Sequence, residues 1–359
     1  MKIRVDKRRW MRTVALICGI SMLLSLICCI SCAWIGRLFP ALDAADRWKG
    51  SSELSFTQVA CYLPVNQGYT EADVVQFQKA LSDALTENSL SPPERGRLFS
   101  DTWSAEAELT ISGTRGSSTA WGIGVGGNFF LFHPLRLLSG SYFSPDDLMN
   151  DRVVLDEELA WNLFGSSNVA GMEVLIGGRP FVVAGVVERE DDFASDQAYQ
   201  NGPGLFLPYG ALFALTEQKI SCYEIVLPDL VSGFGVGLIK EYFDLRGGDL
   251  VENSTRHSVS SLLKVVGDFG IRSMQNNSVV FPYWENAARM AEDYMALLLA
   301  VGVLFAIIPC TVALILLLRL ITSVFRKLRK TVPEVLDEII ERKKRKRYRQ
   351  RHDHATKIG

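Results

Sequence analysis

Apolar and polar positions divide the chain into two long apolar runs and a mixed central segment. The runs at residues 14–35 and 295–318 each hold more than twenty residues without a charged side chain. At 1.5 Å of rise per residue, a helix of that length crosses a hydrocarbon core of about 30 Å. The pattern therefore predicts transmembrane helices over residues 14–35 and 294–318, with a folded, water-exposed domain over residues 36–293.

Between these runs, alternation and helical periodicity predict an α/β subdomain made of residues 54–113 and 221–256. An alternating run over residues 56–63 indicates a strand. Thr70 then has the position of a helix N-cap, and Asp73 completes a capping pattern ahead of apolar residues at helical spacing. A second alternating run follows this helix, which gives the order strand, helix, strand.

Residues 221–256 repeat the order strand, helix, strand, although three glycines weaken the helix. Residues 254–278 show no clear periodicity. Pro282 has the position of a helix start, and no breaker separates it from the second apolar run. We therefore expect one helix to leave the membrane and enter the domain.

Residues 114–220 are rich in glycine and short apolar runs, and they predict a β-rich insertion. Its strongest element is a hairpin over residues 173–187 that turns at the Gly-Gly pair 177–178. Both strands are nearly all apolar, so we expect them to be buried on both faces. A short helix over residues 156–164 precedes the hairpin and can end at Gly165.

Charge indicates the orientation in the membrane. Residues 1–12 contain six Lys or Arg against one Asp, and residues 319–359 contain fourteen Lys or Arg against five acids, while the segment between them is strongly acidic. Short flanks rich in Lys and Arg stay on the cytoplasmic side. We therefore expect a two-pass protein of the cell membrane with cytoplasmic ends, residues 1–13 and 319–359, and an extracytoplasmic central domain.

The first apolar run could also be a cleaved secretion signal, because a basic start followed by an apolar stretch describes such signals as well. Its length exceeds the roughly 7–15 residues of a usual signal core, and no small-x-small cleavage site follows it. Lipoprotein cleavage ahead of Cys32 is another alternative, but the preceding residues lack the expected Leu. We favour a retained membrane helix.

Five of the seven cysteines lie in the apolar runs, where thiols usually act as small apolar packing groups. The other two, Cys61 and Cys222, lie in strand-like segments of the central domain. In an oxidising compartment they could form a disulfide if their strands are adjacent. The alternative is a pair of buried free thiols.

Residues 128–187 contain an ordered series of motifs: a Gly-x-x-Phe element, a short strand, a helix ending in Leu-Phe-Gly, a further glycine and a strand ending Val-Ala-Gly-Val. The residues that define these motifs are Gly140, Phe143, Leu163, Phe164, Gly165, Gly171 and Gly185. Their order resembles the periplasmic core domain of MacB-like and FtsX-like ABC transporter permeases. Each of these residues has a structural interpretation: Phe164 would fill the core, Gly165 would reverse the chain, and Gly171 and Gly185 would allow close approach.

The resemblance implies an α+β fold with an extracytoplasmic domain of two split α/β subdomains, strand-helix-strand units flanking a β-rich insertion, between two transmembrane helices. It also implies work with a separate cytoplasmic ATPase, whose cycle would move the outer domain. Family members have three helices after this domain, whereas residues 319–359 hold no further apolar run of sufficient length. Another permease subunit could supply the others, and a homo-oligomer is also possible.

The basic tail contains a short amphipathic segment over residues 331–341. Its apolar stripe consists of Val332, Val335, Leu336, Ile339 and Ile340. Such a helix could begin near Pro333 and dock on the ATPase, or it could contact lipid or self-associate. The basic block at residues 342–351 favours anionic lipid headgroups over nucleic acid because the neighbouring span holds it at the membrane.

No motif indicates chemistry carried out by the chain itself. Gly122, Gly124 and Gly127 match G-x-G-x-x-G, but no helix pattern follows them, so we expect no dinucleotide site. There is no Walker phosphate loop, no zinc-ligand spacing and no nucleophile motif. We expect no cofactor, no metal and no enzymatic activity.

Two functional hypotheses follow. The first is a permease-like or accessory membrane subunit of an ABC assembly, which couples a cytoplasmic ATPase to movement of the outer domain in export, lipoprotein handling or cell-envelope regulation. The second is a membrane-anchored sensor or scaffold that binds a peptide or envelope component without ATPase coupling.

Overall fold

The structure is a computed structural model that describes residues 7–50, 52–90, 97–144, 147, 149–199, 204–272 and 278–355. The side chains of residues 7, 327, 330–339 and 341–355 lie outside this description. The chain forms two compact units, one made of Met1–Cys29 with Val301–Gly359 and the other of Ile30–Ala300.

Ten α-helices are described. They are α1 (Lys7–Ile35), α2 (Ala44–Lys49), α3 (Glu71–Glu87), α4 (Phe129–Phe132), α5 (Glu157–Phe164), α6 (Ser195–Ala198), α7 (Tyr209–Thr216), α8 (Phe234–Tyr242), α9 (Val259–Arg272) and α10 (Tyr283–Ala355).

The described strands join into one ten-stranded sheet within the unit Ile30–Ala300. They are β1 (Phe56–Tyr62), β2 (Ser100–Ser112), β3 (Ser117–Gly127), β4 (Leu137–Gly140), β5 (Arg152–Asp156), β6 (Glu173–Ile176), β7 (Arg179–Val187), β8 (Gly204–Pro208), β9 (Cys222–Pro228) and β10 (Asp249–Glu252). The order is β10-β1-β9-β2-β3-β8-β5-β7-β4, and β6 pairs with β2 and β7. The sheet thus confirms the α+β class, and it joins the strands of both predicted α/β parts.

The first face of the sheet is covered by helices. Leu81 of α3, Leu163 of α5, Leu212 of α7 and Ile239 of α8 all belong to one buried cluster with alternate residues of the central strands. Because successive side chains of a strand point to opposite faces, the remaining strand residues point away from these helices. They form a second core.

The second face is covered by the start of α10 and by aromatic loop residues. Tyr62 and Cys222 from adjacent strands are buried there with Phe129, Phe281 and Trp284. Trp284 lies in the first turn of α10. The helix that continues into the second apolar run therefore begins as a core element of the domain.

Several predicted elements are confirmed with their termini. The Thr70 side chain accepts a hydrogen bond from the Asp73 backbone N–H at the start of α3, and the Asp73 carboxylate accepts from Thr70, which completes the capping box. Helix α5 ends at Gly165 in the left-handed conformation, φ +76°. The predicted hairpin turns at Gly177 and Gly178, both with positive φ.

Two expectations about this unit need correction. The hairpin is not buried on both faces: Leu175 of β6 and Val182 of β7 are exposed, because the strands alternate between the helix-covered core and solvent. Residues 254–278, which showed no clear periodicity, contain the 14-residue helix α9.

The other unit contains the greater part of α1 and α10. Arg8–Ile35 and Tyr283–Arg326 are each long and apolar enough to cross a membrane. Large apolar side chains such as Leu23, Leu26, Leu314 and Leu318 are exposed, as is expected of a surface that faces lipid. These stretches contain both predicted transmembrane helices.

Candidate functional site

A buried group of charged side chains ties the loop after β10 to the first turns of α10. Arg256 lies just after the short 3-10 turn Asn253–Thr255, and Glu285 and Glu292 lie on α10. All three side chains are buried. We call the group formed by Arg256, Arg272, Arg289, Glu285, Glu292 and Asp293 the ion network.

Arg256 makes the central contacts of the ion network. Its Nη1 donates to Glu285 Oε2 at 2.7 Å and its Nη2 to Glu285 Oε1 at 2.9 Å, which is a bidentate pair. Its Nε donates to Glu292 Oε1 at 2.6 Å. Burial alone would lower the pKa of Arg256, but the Glu285 carboxylate raises it above its usual value. Arg256 therefore stays charged.

The other members complete the charge balance. Arg289, one turn after Glu285 on α10, donates to Glu285 Oε1 at 2.7 Å. Arg272, at the end of α9, donates to Glu292 and to Asp293 Oδ1, the latter at 3.0 Å. Three guanidinium groups thus face three carboxylates. The ion network joins α9, the loop after β10 and α10.

A sheet residue also reaches the ion network. Tyr62, the last residue of β1, donates its hydroxyl to Glu285 Oε2 at 3.0 Å, and both side chains are buried. Burial and the Glu285 charge raise the pKa of Tyr62, so it remains the donor. The network is therefore anchored in the central sheet as well as on the helices.

A second buried pair lies beside the start of α10. His133 Nε2 lies 2.6 Å from Glu224 Oε2, and both side chains are buried on the second face of the sheet. The His133 ring lies 4.5 Å from the Phe129 ring and 4.6 Å from the Trp284 ring. The pair thus connects β9 to the first turn of α10 through the contact between the His133 and Trp284 rings.

The segment that follows α1 is tied to the same sheet. Gln58 of β1 accepts from the Ala44 backbone N–H at 2.9 Å and donates to the Ala41 carbonyl at 2.8 Å. Arg47 of α2 donates to the carbonyls of Leu131 and Phe132. The two chain segments that connect the domain to the apolar runs are therefore both held by buried polar contacts.

A cavity of about 590 Å³ lies beside the first turns of α10. Glu106, Trp121, Arg189 and Tyr283 are among its lining residues. Glu106 Oε2 accepts from Trp121 Nε1 at 2.9 Å, and Glu106 Oε1 has no hydrogen-bond partner within the described part of the chain. Burial raises the pKa of Glu106. The cavity has the size of a small-molecule pocket.

Asp156 lies at the edge of this cavity and caps α5. Its carboxylate accepts from the Leu159 backbone N–H at 2.7 Å and from the Gly204 backbone N–H at 2.5 Å. Burial raises the pKa of Asp156 to about 6, although both hydrogen bonds oppose this effect. Because its raised pKa is about 6, Asp156 can change protonation state between about pH 5 and pH 7.

Within the described residues, no group of three His, Cys, Asp or Glu side chains could hold a metal ion. The ion network satisfies its own charges and exposes no nucleophile. What this arrangement can do is hold the start of α10 in a fixed position against the sheet.

Residues 54–231 match the sequence model of the MacB-like periplasmic core domain. Residues 54–231 therefore form a MacB-like periplasmic core domain. The chain is 36% identical to the macrolide export ATP-binding/permease protein MacB of Chromobacterium violaceum over an alignment of 194 residues, which covers 47% of this chain and 29% of that protein. It is 25% identical to the MacB 2 protein of Aeromonas hydrophila over 193 residues, with the same coverage.

The matched segment thus spans less than a third of the length of these relatives. Among solved structures, the periplasmic region of MacB from Actinobacillus actinomycetemcomitans matches with a TM-score of 0.40 and 19% identity, over 61% of this chain and 94% of that one. The extracellular domain of the ABC-type transporter YknZ from Gram-positive bacteria matches with a TM-score of 0.37 and 15% identity, over 55% and 99%.

The glycines of the family motif have structural roles in the MacB-like domain. A Cβ on Gly185 would lie 2.6 Å from the Ser141 carbonyl oxygen, so this glycine allows the close approach that was expected. Gly140 has φ +73°, and its Cβ would lie against the Ala184 carbonyl. Gly171 was expected to allow a close approach, but open space surrounds it; its φ of +85° is the reason for glycine there.

The apolar motif residues are arranged differently from expectation. Phe164 was expected to fill the core, but it is only partly buried, and the preceding Leu163 is fully buried against the sheet. The reason is the helical turn: Leu163 lies one turn after Leu159 and Ala160, which are also buried. Phe143 is buried in the core of the second face.

Of the two alternatives for Cys61 and Cys222, a disulfide or a pair of buried free thiols, the structure shows the second: both thiols are free and buried. The strands β1 and β9 are adjacent, as expected, but Cys61 pairs with Tyr223 and Cys222 with Tyr62. This one-residue offset places the two thiols on opposite faces of the sheet. Burial raises the pKa of both.

In the basic C-terminal tail, the backbone is helical across residues 331–341 as part of α10. The helix therefore does not begin at Pro333. The side chains of Val332, Val335, Leu336 and Ile339 lie outside the described residues, and Ile340 is exposed. The docking stripe remains a prediction.

The ion network and the pair His133–Glu224 were missed from the sequence. One signal was available: Glu285, Arg289 and Glu292 lie on one stripe of a helix that leads into an apolar run. Charged residues at that position need partners. The partner Arg256 lies 29 residues earlier, in a segment without periodicity, so pattern alone could not pair them.

Proposed function

We propose that this chain is a permease-like or accessory membrane subunit of an ABC assembly of the MacB/FtsX type. In this proposal it couples a separate cytoplasmic ATPase to movement of its extracytoplasmic domain. The process served is export, lipoprotein handling or regulation of the cell envelope. The chain is not itself an enzyme and needs no cofactor.

One observation carries the proposal: a single helix, α10, begins within the core of a MacB-like domain and continues through an apolar stretch long enough to cross a membrane. The ion network and the buried Trp284 fix its first turns to the sheet. A movement of α10 would therefore be transmitted to the sheet, because the contacts at its start are buried and charge-paired.

The orientation is part of the proposal. We propose that residues 1–13 and 319–359 lie in the cytoplasm and the acidic central domain outside, because short flanks rich in Lys and Arg favour the cytoplasmic side. This arrangement would bring the amphipathic segment at residues 331–341 to the side of the membrane where an ATPase hydrolyses ATP. We propose that this segment contacts the ATPase, and that membrane lipid binds the basic block that follows it.

A second candidate function is a sensor or scaffold that binds a peptide or envelope component without ATPase coupling. The cavity beside α10 favours it, because the wall combines aromatic side chains with a buried carboxylate oxygen on Glu106 that has no partner within the described residues. Such a pocket suits a ligand with an apolar body and a polar group.

Purification of the full-length chain in mild detergent tests the two candidates. The first predicts that an ABC ATPase co-purifies and that an inactive ATPase abolishes the function of the chain. A double substitution, Leu336→Ser with Ile339→Ser, should reduce co-purification, whereas Glu338→Ser in the same segment should not. If neither variant changes the amount of ATPase recovered, the proposed contact between residues 331–341 and the ATPase is wrong. If no ATPase is recovered even with the wild-type chain, the sensor or scaffold function is favoured.

A further inference from the structure

Helix α9 presents an unusually apolar surface to its surroundings. Four large apolar side chains lie on one side of it, with exposed fractions of 62% for Val259, 54% for Leu263, 42% for Val266 and 64% for Phe269. They recur at intervals of three and four residues, so they form one stripe. In the whole helix only Leu262 is buried.

The opposite side of α9 carries Ser260, Lys264 and Asp268, which are exposed and recur at four-residue intervals. Ile271, in the last turn, is also exposed on that side. The helix is thus amphipathic, but the greater part of its apolar side does not face the domain. A soluble domain rarely leaves such a stripe uncovered.

Contacts of α9 fix its position along the neighbouring helices. Leu262 belongs to the same buried cluster as Ile35, the last residue of α1, and Met295 of α10. Arg272 at the end of α9 forms ion pairs with Glu292 and Asp293. Helix α9 therefore lies at the level where both apolar stretches meet the domain.

Aromatic side chains mark the same level as a membrane boundary. Trp34 at the end of α1 and Tyr294 on α10 are both exposed. Trp and Tyr favour the interface between hydrocarbon and water because their rings are partly apolar and partly polar. Because Leu262 shares a buried cluster with the neighbouring residues Ile35 and Met295, α9 lies close to both aromatic side chains.

We infer that α9 is an interfacial membrane helix: it lies in the outer surface of the bilayer, with Val259, Leu263, Val266 and Phe269 in lipid and Lys264 and Asp268 toward water. Helices of this kind bury their apolar side about 5–10 Å into the boundary of headgroups and acyl chains. The ion pairs of Arg272 then hold α9 to α10 at the point where α10 enters the membrane. This inference does not depend on an ATPase partner.

Photocrosslinking in vesicles tests the assignment. The full-length chain is reconstituted in vesicles of phosphatidylethanolamine and phosphatidylglycerol, with benzoylphenylalanine in place of Leu263 or of Phe269. The matched controls carry the same group in place of Lys264 or of Asp268 on the polar side. All four positions are exposed, so the substitutions should leave the fold intact, which circular dichroism checks.

After irradiation, intact-mass analysis detects lipid adducts, and denaturing gels detect crosslinked chains. The inference predicts a several-fold higher yield of lipid adduct at Leu263 and Phe269 than at Lys264 and Asp268. A crosslinked pair of chains at Leu263 and Phe269 without lipid adducts would overturn it and assign the stripe to a second copy. Equal lipid labelling on both sides, or no lipid labelling, would also overturn it.

Discussion

At the scale of single residues, Arg256 makes the central contacts of the ion network. It is buried and faces two buried carboxylates, Glu285 and Glu292. A buried ion pair adds little to stability compared with a well-packed apolar replacement, because both charges lose their hydration. Removing only one partner is different, since it leaves the opposite charge buried and uncompensated.

The substitution Arg256→Met should therefore destabilise the protein by about 3–5 kcal/mol. The matched control is Arg136→Met, which breaks the exposed pair with Glu188 and should cost less than about 1 kcal/mol. Thermal unfolding of both variants in detergent, followed by circular dichroism, measures the difference. Equal shifts of the unfolding midpoint in the two variants would show that the ion network is not a structural anchor.

The raised pKa of Asp156 predicts how the stability of the fold depends on pH. Its pKa is raised to about 6 by burial, above the value of about 3.9 of an unfolded chain. The folded state therefore binds the proton more tightly, and the contribution of Asp156 to stability decreases as the pH rises from 4 to 6, by up to about 3 kcal/mol. In Asp156→Asn this decrease should be missing.

Unfolding midpoints at pH 4.5 and pH 7 measure this effect. Asn can still cap α5 through its side-chain oxygen, but it loses one of the two backbone hydrogen bonds, so the variant should be less stable at both pH values. The difference in unfolding midpoint between wild type and variant, which we call the gap, should be larger at pH 4.5 than at pH 7. A gap that is constant, or larger at pH 7, would contradict a raised pKa.

At the scale of elements, local signals were sufficient for α3, α5 and the hairpin β6-β7. Capping residues and glycines at their ends act within a few residues of the chain, so these elements could be predicted with their termini. Helix α9 was missed although its apolar residues recur at helical spacing, because Gly267 and Gly270 lower the helix propensity of its second half. The ion network could not be predicted for another reason: Arg256 is far from its partners in the sequence, and only the tertiary fold brings them together.

Alanine substitutions at two glycines separate the cost of a positive φ from the cost of a close backbone contact. Gly140 and Gly171 both have positive φ, but a Cβ at Gly140 meets the Ala184 carbonyl, whereas one at Gly171 meets open space. Gly171→Ala should cost only the strain of the left-handed conformation, about 1–2 kcal/mol. Gly140→Ala should cost more, because the strand pair β4-β7 must also move apart.

The two alanine variants are compared by their unfolding midpoints under one set of conditions. The lower midpoint is expected for Gly140→Ala. If Gly171→Ala were equally destabilised, close approach at Gly140 would not matter, and the assignment of that residue to strand packing would be incorrect.

At the scale of the whole molecule, a MacB-like domain is attached to two apolar helices, and one of them, α10, continues without interruption from the core of the domain into its apolar stretch. In the proposed function this continuity carries movement from the cytoplasm. A flexible glycine-serine segment inserted after Ser323 should therefore leave the domain folded and the ATPase bound, but it should uncouple the domain from ATP.

The control for that insertion is the same segment placed after His352, beyond the proposed docking segment, where coupling should persist. Nucleotide-dependent protection of the outer domain against protease measures coupling in both. Loss of the response in both variants, or in neither, would show that α10 does not carry the movement.

The proposed function requires that ATP binding and hydrolysis by the partner ATPase change the conformation at the start of α10. Hydrogen–deuterium exchange of the purified assembly with its ATPase tests it most directly, in the segments of residues 249–256 and 283–293 that contain the contacts of Arg256. We predict that exchange in these segments differs between the ATP-bound and the nucleotide-free assembly. With an inactive ATPase, exchange in these segments should no longer change with nucleotide. Identical exchange in all nucleotide states, with the ATPase bound and active, would contradict it.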